Sequence, residues 1–246
     1  MTTSPLPLLK LSGVTKRFGG LVAVNDVSME IAPGEVVGIL GPNGSGKTTL
    51  FSTISGFLKP NAGEIEFNSK QIQGQSPHRI CRLGLARTFQ VVQPFAGLCV
   101  IDNVMVGCLA AGMPLPLARE RAVEIVEFVG MGSRGLHMAS DLSLPDRKRL
   151  ELAKALSTGP KLILLDEIMA GLRPTEVTAA VDLIKSIAAL GVTVLIVEHL
   201  MQAILALCQR IYVLHHGSLI ASGEPTSCMQ NEAVVDAYFG EAHSGA

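Results

Sequence analysis

The residues Gly41-Pro42-Asn43-Gly44-Ser45-Gly46-Lys47-Thr48 match the pattern G-x-x-x-x-G-K-[ST], which is a way of holding phosphate. Its glycines let the backbone turn so that successive N–H groups face one point. There, with the N-terminus of a following helix, they bind phosphate oxygens. Gly41, Asn43, Gly44, Ser45, Gly46, Lys47, Thr48 and Thr49 are the candidate nucleotide-binding residues. The Lys47 ammonium would reach the β- and γ-phosphates and the Thr48 hydroxyl would face Mg²⁺. Background residue frequencies give such a match in on the order of one chain in a hundred of this length. A Gly-rich turn without a ligand would not require Lys and Thr at those positions. A second centre lies about 120 residues on, where Leu162-Ile163-Leu164-Leu165 ends in Asp166-Glu167. Asp166 would hold Mg²⁺ through its water shell, and Glu167 would polarise an attacking water as a general base. Two acids after four apolar residues are commonplace alone; downstream of a phosphate loop they are specific.

These residues need a frame. Val36, Val37, Ile39 and Leu40 read as a strand buried on both faces, delivering the chain into Gly41. A helix is expected from near Gly46 to about Gly56. Short strands are expected over 8–14, 22–31, 35–40 and 64–67. From about Val100 to Leu156 the pattern turns helical, with one amphipathic segment through Val123, Val126 and Glu127 to Gly130 and another over Arg147 to Leu156. Strand then helix returns twice: Leu162 to Leu165 before Pro174 to Leu190, and Val192 to Val197 before Leu200 to Cys208. Such alternation implies parallel βαβ units, so the helical stretch reads as an insertion into an α/β core.

Composition narrows the function. The chain has 246 residues, 48% of them hydrophobic, and a mean hydropathy of +0.40. Charged residues reach 17%, below the roughly 25% usual for soluble proteins, which excludes a disordered chain. Twenty Lys and Arg against 21 Asp and Glu leave a net charge of −1, so no general field attracts nucleic acid. The longest nearly uncharged stretch, 96–118, is broken by Asp102, Asn103, Pro114 and Pro116, and no membrane-spanning helix is expected. No secretion signal is read at the N-terminus. Cys81, Cys99, Cys108, Cys208 and Cys228 lack CxxC spacing, which suits reduced thiols packed as small hydrophobes and argues against zinc.

The chain resembles the nucleotide-binding subunits of ATP-binding-cassette (ABC) transporters, and most of all the ATPases of branched-chain amino-acid importers. The likeness runs through Thr15-Lys16-Arg17-Phe18-Gly19-Gly20, the phosphate loop, Ala86-Arg87-Thr88-Phe89-Gln90, Met169-Ala170-Gly171-Leu172 and Val197-Glu198-His199. The resemblance implies an α/β fold: a P-loop NTPase (RecA-like) core with an antiparallel β subdomain and an inserted α-helical subdomain. It implies one ATP-binding domain over 6–242, in which 1–92 and 160–242 form the core and 93–159 the helical part, with a frayed tail at 243–246. It also implies roles. Phe18 would stack on adenine, an interaction worth ~1–3 kcal/mol per base. Gln90 would touch Mg²⁺ and the attacking water, and His199 would hydrogen-bond the γ-phosphate and hold Glu167. The catalytic set is thus Glu167, His199 and Gln90, and the metal set Thr48, Gln90 and Asp166. Ala170 to Arg173 would cross a dimer interface, with Pro174 opening the next helix.

One segment departs from the family. Where Leu-Ser-Gly-Gly-Gln is expected the chain reads Leu142-Ser143-Leu144-Pro145-Asp146. In the family this segment faces ATP held by the opposite subunit. Ser143 keeps its hydroxyl, but Pro145 has no N–H to donate, Leu144 blocks close backbone approach, and Asp146 adds a negative charge. Arg147, Lys148 and Arg149 would offset that charge while opposing the dipole of a helix they begin. The expected assembly is a heterodimer with two unequal sites, a homodimer being the alternative, joined to two permease subunits and served by a periplasmic solute-binding protein at the cytoplasmic face of a bacterial inner membrane. Val91, Val92, Pro94 and Phe95 are candidates to line the groove for a permease helix. The other readings are a lipopolysaccharide-export ATPase, a non-transport ABC ATPase and, last, a metabolic P-loop kinase.

Overall fold

The computed structural model describes residues 6–90 and 92–239. Among them the strands form two sheets. β1 (Leu9–Phe18), β2 (Leu21–Ile31), β4 (Ala62–Phe67) and β5 (Lys70–Gln71) make an antiparallel sheet in the order β2-β1-β4-β5. The other sheet holds β3 (Val36–Leu40), β6 (Leu85–Arg87), β7 (Leu162–Asp166), β8 (Thr193–Val197), β9 (Arg210–His215) and β10 (Ser218–Gly223), in the order β10-β9-β3-β8-β7-β6. Its members are parallel except for the edge pair β9 and β10. The helices are α1 (Lys47–Ile54), α2 (Pro77–Arg82), α3 (Val100–Ala110), α4 (Leu115–Phe128), α5 (Leu144–Ser157), α6 (Pro174–Ala189), α7 (Met201–Leu207), α8 (Pro225–Met229) and α9 (Glu232–Phe239).

Every residue of β3, β7 and β8 is buried, which explains their unbroken apolar sequence. Alternation then sorts the side chains between two cores. Val37, Ile39, Leu162, Leu164, Leu195 and Val197 face one core with α1 and the antiparallel sheet. Val36, Leu40, Ile163, Leu165, Val194 and Ile196 face the other with helices α3 to α9, whereas Ile80 of α2 joins the α1 side. Register pairs Ile39 and Asp166 with Val197. The segments leaving β3, β7 and β8 therefore emerge along one edge of the sheet, where open α/β folds bind ligands.

The helical segment α3–α5 enters after β6 and leaves before β7, and these two strands pair directly. The link that enters it is pinned by buried Asn103, whose amide accepts from Phe95 N and donates to the carbonyls of Phe95, Leu98 and Cys99. The first strand extends to Phe18, beyond the expected Val14. Helix α5 begins at Leu144 and not Arg147, because proline is tolerated in a first turn whose N–H groups lack intrahelical partners. Arg147, Lys148 and Arg149 accordingly follow the first turn and do not form it. Cys108, Cys208 and Cys228 are buried, whereas Cys81 and Cys99 are only half-buried. No helix among the described residues is long and apolar enough to cross a membrane. Val91, the expected domain end 240–242 and the tail 243–246 lie outside the described residues.

Candidate functional site

The phosphate loop joins β3 to α1, and Gly46 caps the helix in a left-handed conformation (φ 107°). A Cβ on Gly46 would overlap the Ala23 carbonyl oxygen and one on Gly41 that of Leu214, so both glycines are dictated by close backbone approach. Gly44 also has positive φ, 78°, and a Cβ there would meet open space. Asn43, Gly44 and Thr48 are exposed, and Thr49 is half-buried behind them. Lys47 is buried and folds across the loop, donating from Nζ to the carbonyls of Gly41 (2.7 Å) and Pro42 (2.8 Å). Burial pulls its ammonium below the ordinary lysine value, against the pull of Glu167 and Asp166. Ser45 Oγ is buried without a protein partner, a spare donor inside an anion-binding turn. Phe18 ends β1 with its ring half exposed and Lys16 Nζ 5.2 Å from the ring centroid.

The chain leaving β7 brings the second set together. Glu167 Oε2 accepts from Gln90 Nε2 at 2.6 Å, and Oε1 lies 3.0 Å from His199 Nε2. Two side chains from separate segments thus fix both oxygens of one carboxylate. Glu167 itself has φ 48°, a conformation L-residues rarely adopt and one that functional sites retain by surrounding constraint. Its N–H donates to Val197 O (3.0 Å) and its carbonyl accepts from Ala170 N (3.2 Å). Asp166 points into a cavity of about 820 Å³ that Thr48 and Gln90 also line. Hydroxyl, amide and carboxylate oxygens on one cavity are a donor set suited to Mg²⁺ shared with phosphates.

Comparison with known proteins adds to this geometry. Residues 24–170 match the family described as ABC transporter. The chain belongs to that family. It is 37% identical to the high-affinity branched-chain amino acid transport ATP-binding protein LivG of Escherichia coli (strain K12), over 96% of this chain and 99% of the relative. The solved ADP conformation of MJ1267, an ATP-binding cassette of an ABC transporter, superposes with a TM-score of 0.87 at 32% identity, covering 96% of this chain and 99% of that one. A dimeric, post-hydrolysis structure of the cassette MJ0796 bound to ADP and Pi superposes at 0.79 with 25% identity, covering 88% and 98%. This chain is an ABC ATPase with the P-loop fold expected of it.

Several residues of this ABC ATPase site are given no part in it by the sequence alone. Arg87, on β6, forms a buried ion pair with Asp166 (2.9 Å) and donates to Ser52 Oγ and Ser55 Oγ at 3.1 and 3.2 Å. Its guanidinium lies against Phe51, Phe57 and Phe89, 5.3–5.9 Å from the ring centroids. Glu198 is buried beside His199, accepts from Met169 N at 2.8 Å, and is pushed up to about 7 by burial. Tyr238 Oη, on α9, accepts from Gly41 N at 2.8 Å. Lys148 donates to two backbone carbonyls at the site, Gln90 O and Glu167 O.

One expectation needs correction. Asp146 is not a bare negative charge: it stands in the first turn of α5, accepts from Ser143 Oγ, pairs with Arg134, and is buried. Ser143 is the N-cap, but its hydroxyl is turned to that carboxylate. The cavity beside Gln90 has Phe57, Phe89, Gln93, Glu151 and Lys154 among its walls. Val92, Pro94 and Phe95 are not among them. Phe95 is exposed with Lys154 Nζ 5.5 Å from its ring centroid.

Proposed function

We propose that this chain is the ATP-hydrolysing subunit of an importer for branched-chain amino acids or related small solutes, working at the cytoplasmic face of the cell membrane with two permease subunits and a solute-binding protein. The observation that carries the reading is the Glu167 carboxylate held at both oxygens by Gln90 and His199, on the sheet edge that also presents the phosphate loop. Loop N–H groups and Lys47 would bind the phosphates, with Phe18 stacked on adenine. Mg²⁺, held by Thr48, Asp166 and Gln90, would supply charge neutralisation on the phosphates when bound. Glu167 would draw the proton from the attacking water while His199 fixes the carboxylate and reaches the γ-phosphate. The cavity walled by Phe57, Phe89 and Lys154 would receive a cytoplasmic permease helix, so that dimer closure moves the permease.

The assembly we propose is a heterodimer in which this chain's phosphate loop, Asp166, Glu167 and His199 meet an intact signature on a second ATPase. The reciprocal site would contain Leu144 and Pro145. Arg134 removes the electrostatic objection to Asp146, but Pro145 still lacks an N–H, so the reciprocal site remains the weaker one. Glu167→Gln should lower ATP turnover by about 10²–10⁴-fold with nucleotide binding retained. The matching change in the second ATPase should cost far less. Equal losses in the two variants would remove the asymmetry, and undiminished turnover in Glu167→Gln would remove the catalytic reading.

A further inference from the structure

Lys148 is 6% exposed, and burying an ammonium is costly unless its surroundings repay the lost hydration. A long apolar side chain would fill the same space without that penalty. The ammonium instead lies 3.2 Å from Glu167 O and 3.4 Å from Gln90 O. These carbonyls belong to the two residues whose side chains meet at 2.6 Å in the site. Four acids, Glu198, Glu167, Glu151 and Asp166, pull toward keeping the ammonium charged, against its burial. Lys148 is therefore one of three cations, with Lys47 and Arg87, set among the acids of the site.

Its position in the chain matters as much as its contacts. Lys148 stands on α5, two residues after the segment Ser143 to Asp146, which the family presents to the opposite nucleotide. Glu167 needs external support because its backbone is left-handed. Of the three hydrogen bonds to its backbone, those with Val197 O and Ala170 N come from the sheet edge and its own turn. The third comes from α5. A movement of α5 away from the site would lengthen both Lys148 contacts, of which that to Gln90 O is already 3.4 Å.

We propose that Lys148 is a positioning residue for Glu167: it clamps the carbonyls of Gln90 and Glu167 so that amide and carboxylate stay in register, and it makes that register depend on where α5 sits. A change at the Ser143 end of the helix, where the opposite nucleotide would contact it, is thereby felt by this chain's own hydrolytic carboxylate. The proposal rests on the reading of Glu167 as the general base.

The test uses the full-length chain in the complex with which it purifies, comparing wild type, Lys148→Met, Lys148→Gln and Glu167→Gln. ATP turnover and the affinity for a fluorescent ATP analogue are measured for each. Lys148→Met should lower kcat at least about tenfold while nucleotide affinity stays within about twofold, with Lys148→Gln, which can still donate, falling between. Hydrogen exchange in 166–170 should quicken in both Lys148 variants without a matching change in β3. Unaltered kcat, or kcat and affinity lost in the same proportion, would overturn the proposal. Should Lys148→Met fail to fold, Lys148→Gln decides alone: kcat within about twofold of wild type overturns the proposal, and a larger loss at unchanged affinity supports it. Turnover surviving in Glu167→Gln would remove the general-base reading, and the proposal with it. Turnover lost there but kept in Lys148→Met would remove only the role of Lys148.

Discussion

Asp166 and Arg87 illustrate how much a single buried pair can matter. Their side chains are 3% and 7% exposed, so removing one leaves the other charge unpaired and poorly hydrated. Arg87→Met should cost about 3–5 kcal/mol, the penalty of an uncompensated buried charge, read from urea unfolding. Glu198 carries a different liability. Its carboxyl moves from an ordinary 4.5 to about 7 on folding, so between those values the folded chain binds more protons than the unfolded one. Stability must then fall as pH rises through that window. Glu198→Gln retains an acceptor for Met169 N–H and removes the titration. It should flatten the dependence and exceed wild type near about pH 8 by at most about 3 kcal/mol, measured by thermal unfolding across pH. The roles of both residues were illegible in the sequence for a physical reason. Arg87 meets a carboxylate 79 positions away, and Glu198 sits inside a motif whose chemistry is assigned to its neighbour. The phosphate loop was legible because its geometry is local: glycines, lysine and hydroxyl lie within eight consecutive residues.

At the scale of elements, α9 does more than close the fold. Through Tyr238 it supplies the acceptor for Gly41 N, fixing the first residue of the phosphate loop from the far end of the described chain. Tyr238→Phe keeps the ring and deletes that acceptor. The unfolding free energy should drop by about 1 kcal/mol and the KM for ATP should rise several-fold, measured by steady-state ATPase assay. The two edges of legibility are clearest in α5 and β6. The expected helix over Arg147 to Leu156 starts three residues too late, because Pro145 stands in a first turn that has no hydrogen bond for it to break. Leu85–Arg87 is three residues long, too short for alternation to register, and only pairing with Leu162–Leu164 makes it a strand. By contrast β3, β7 and β8 announced themselves, because burial on both faces leaves an uninterrupted apolar sequence.

For the whole molecule, low charge and high hydropathy find their place in two cores pressed against one sheet, with an aromatic-walled cavity left open between the β6 side and α5. Phe57 is 52% exposed there and stacks edge-on against Phe89 at 5.5 Å. Phe57→Glu should change stability by less than about 1 kcal/mol while reducing co-purification with the permease subunits, as read by pull-down from solubilised membranes. The left-handed backbone of Glu167 has a consequence for how such a protein can change over generations. Holding a non-glycine residue there costs of order 1–3 kcal/mol, which glycine would recover and asparagine would partly recover. A laboratory selection that rewarded heat resistance alone would be drawn to that codon and return hardier, idle proteins. On the general-base reading proposed above, continued demand for transport is what would keep glutamate in place.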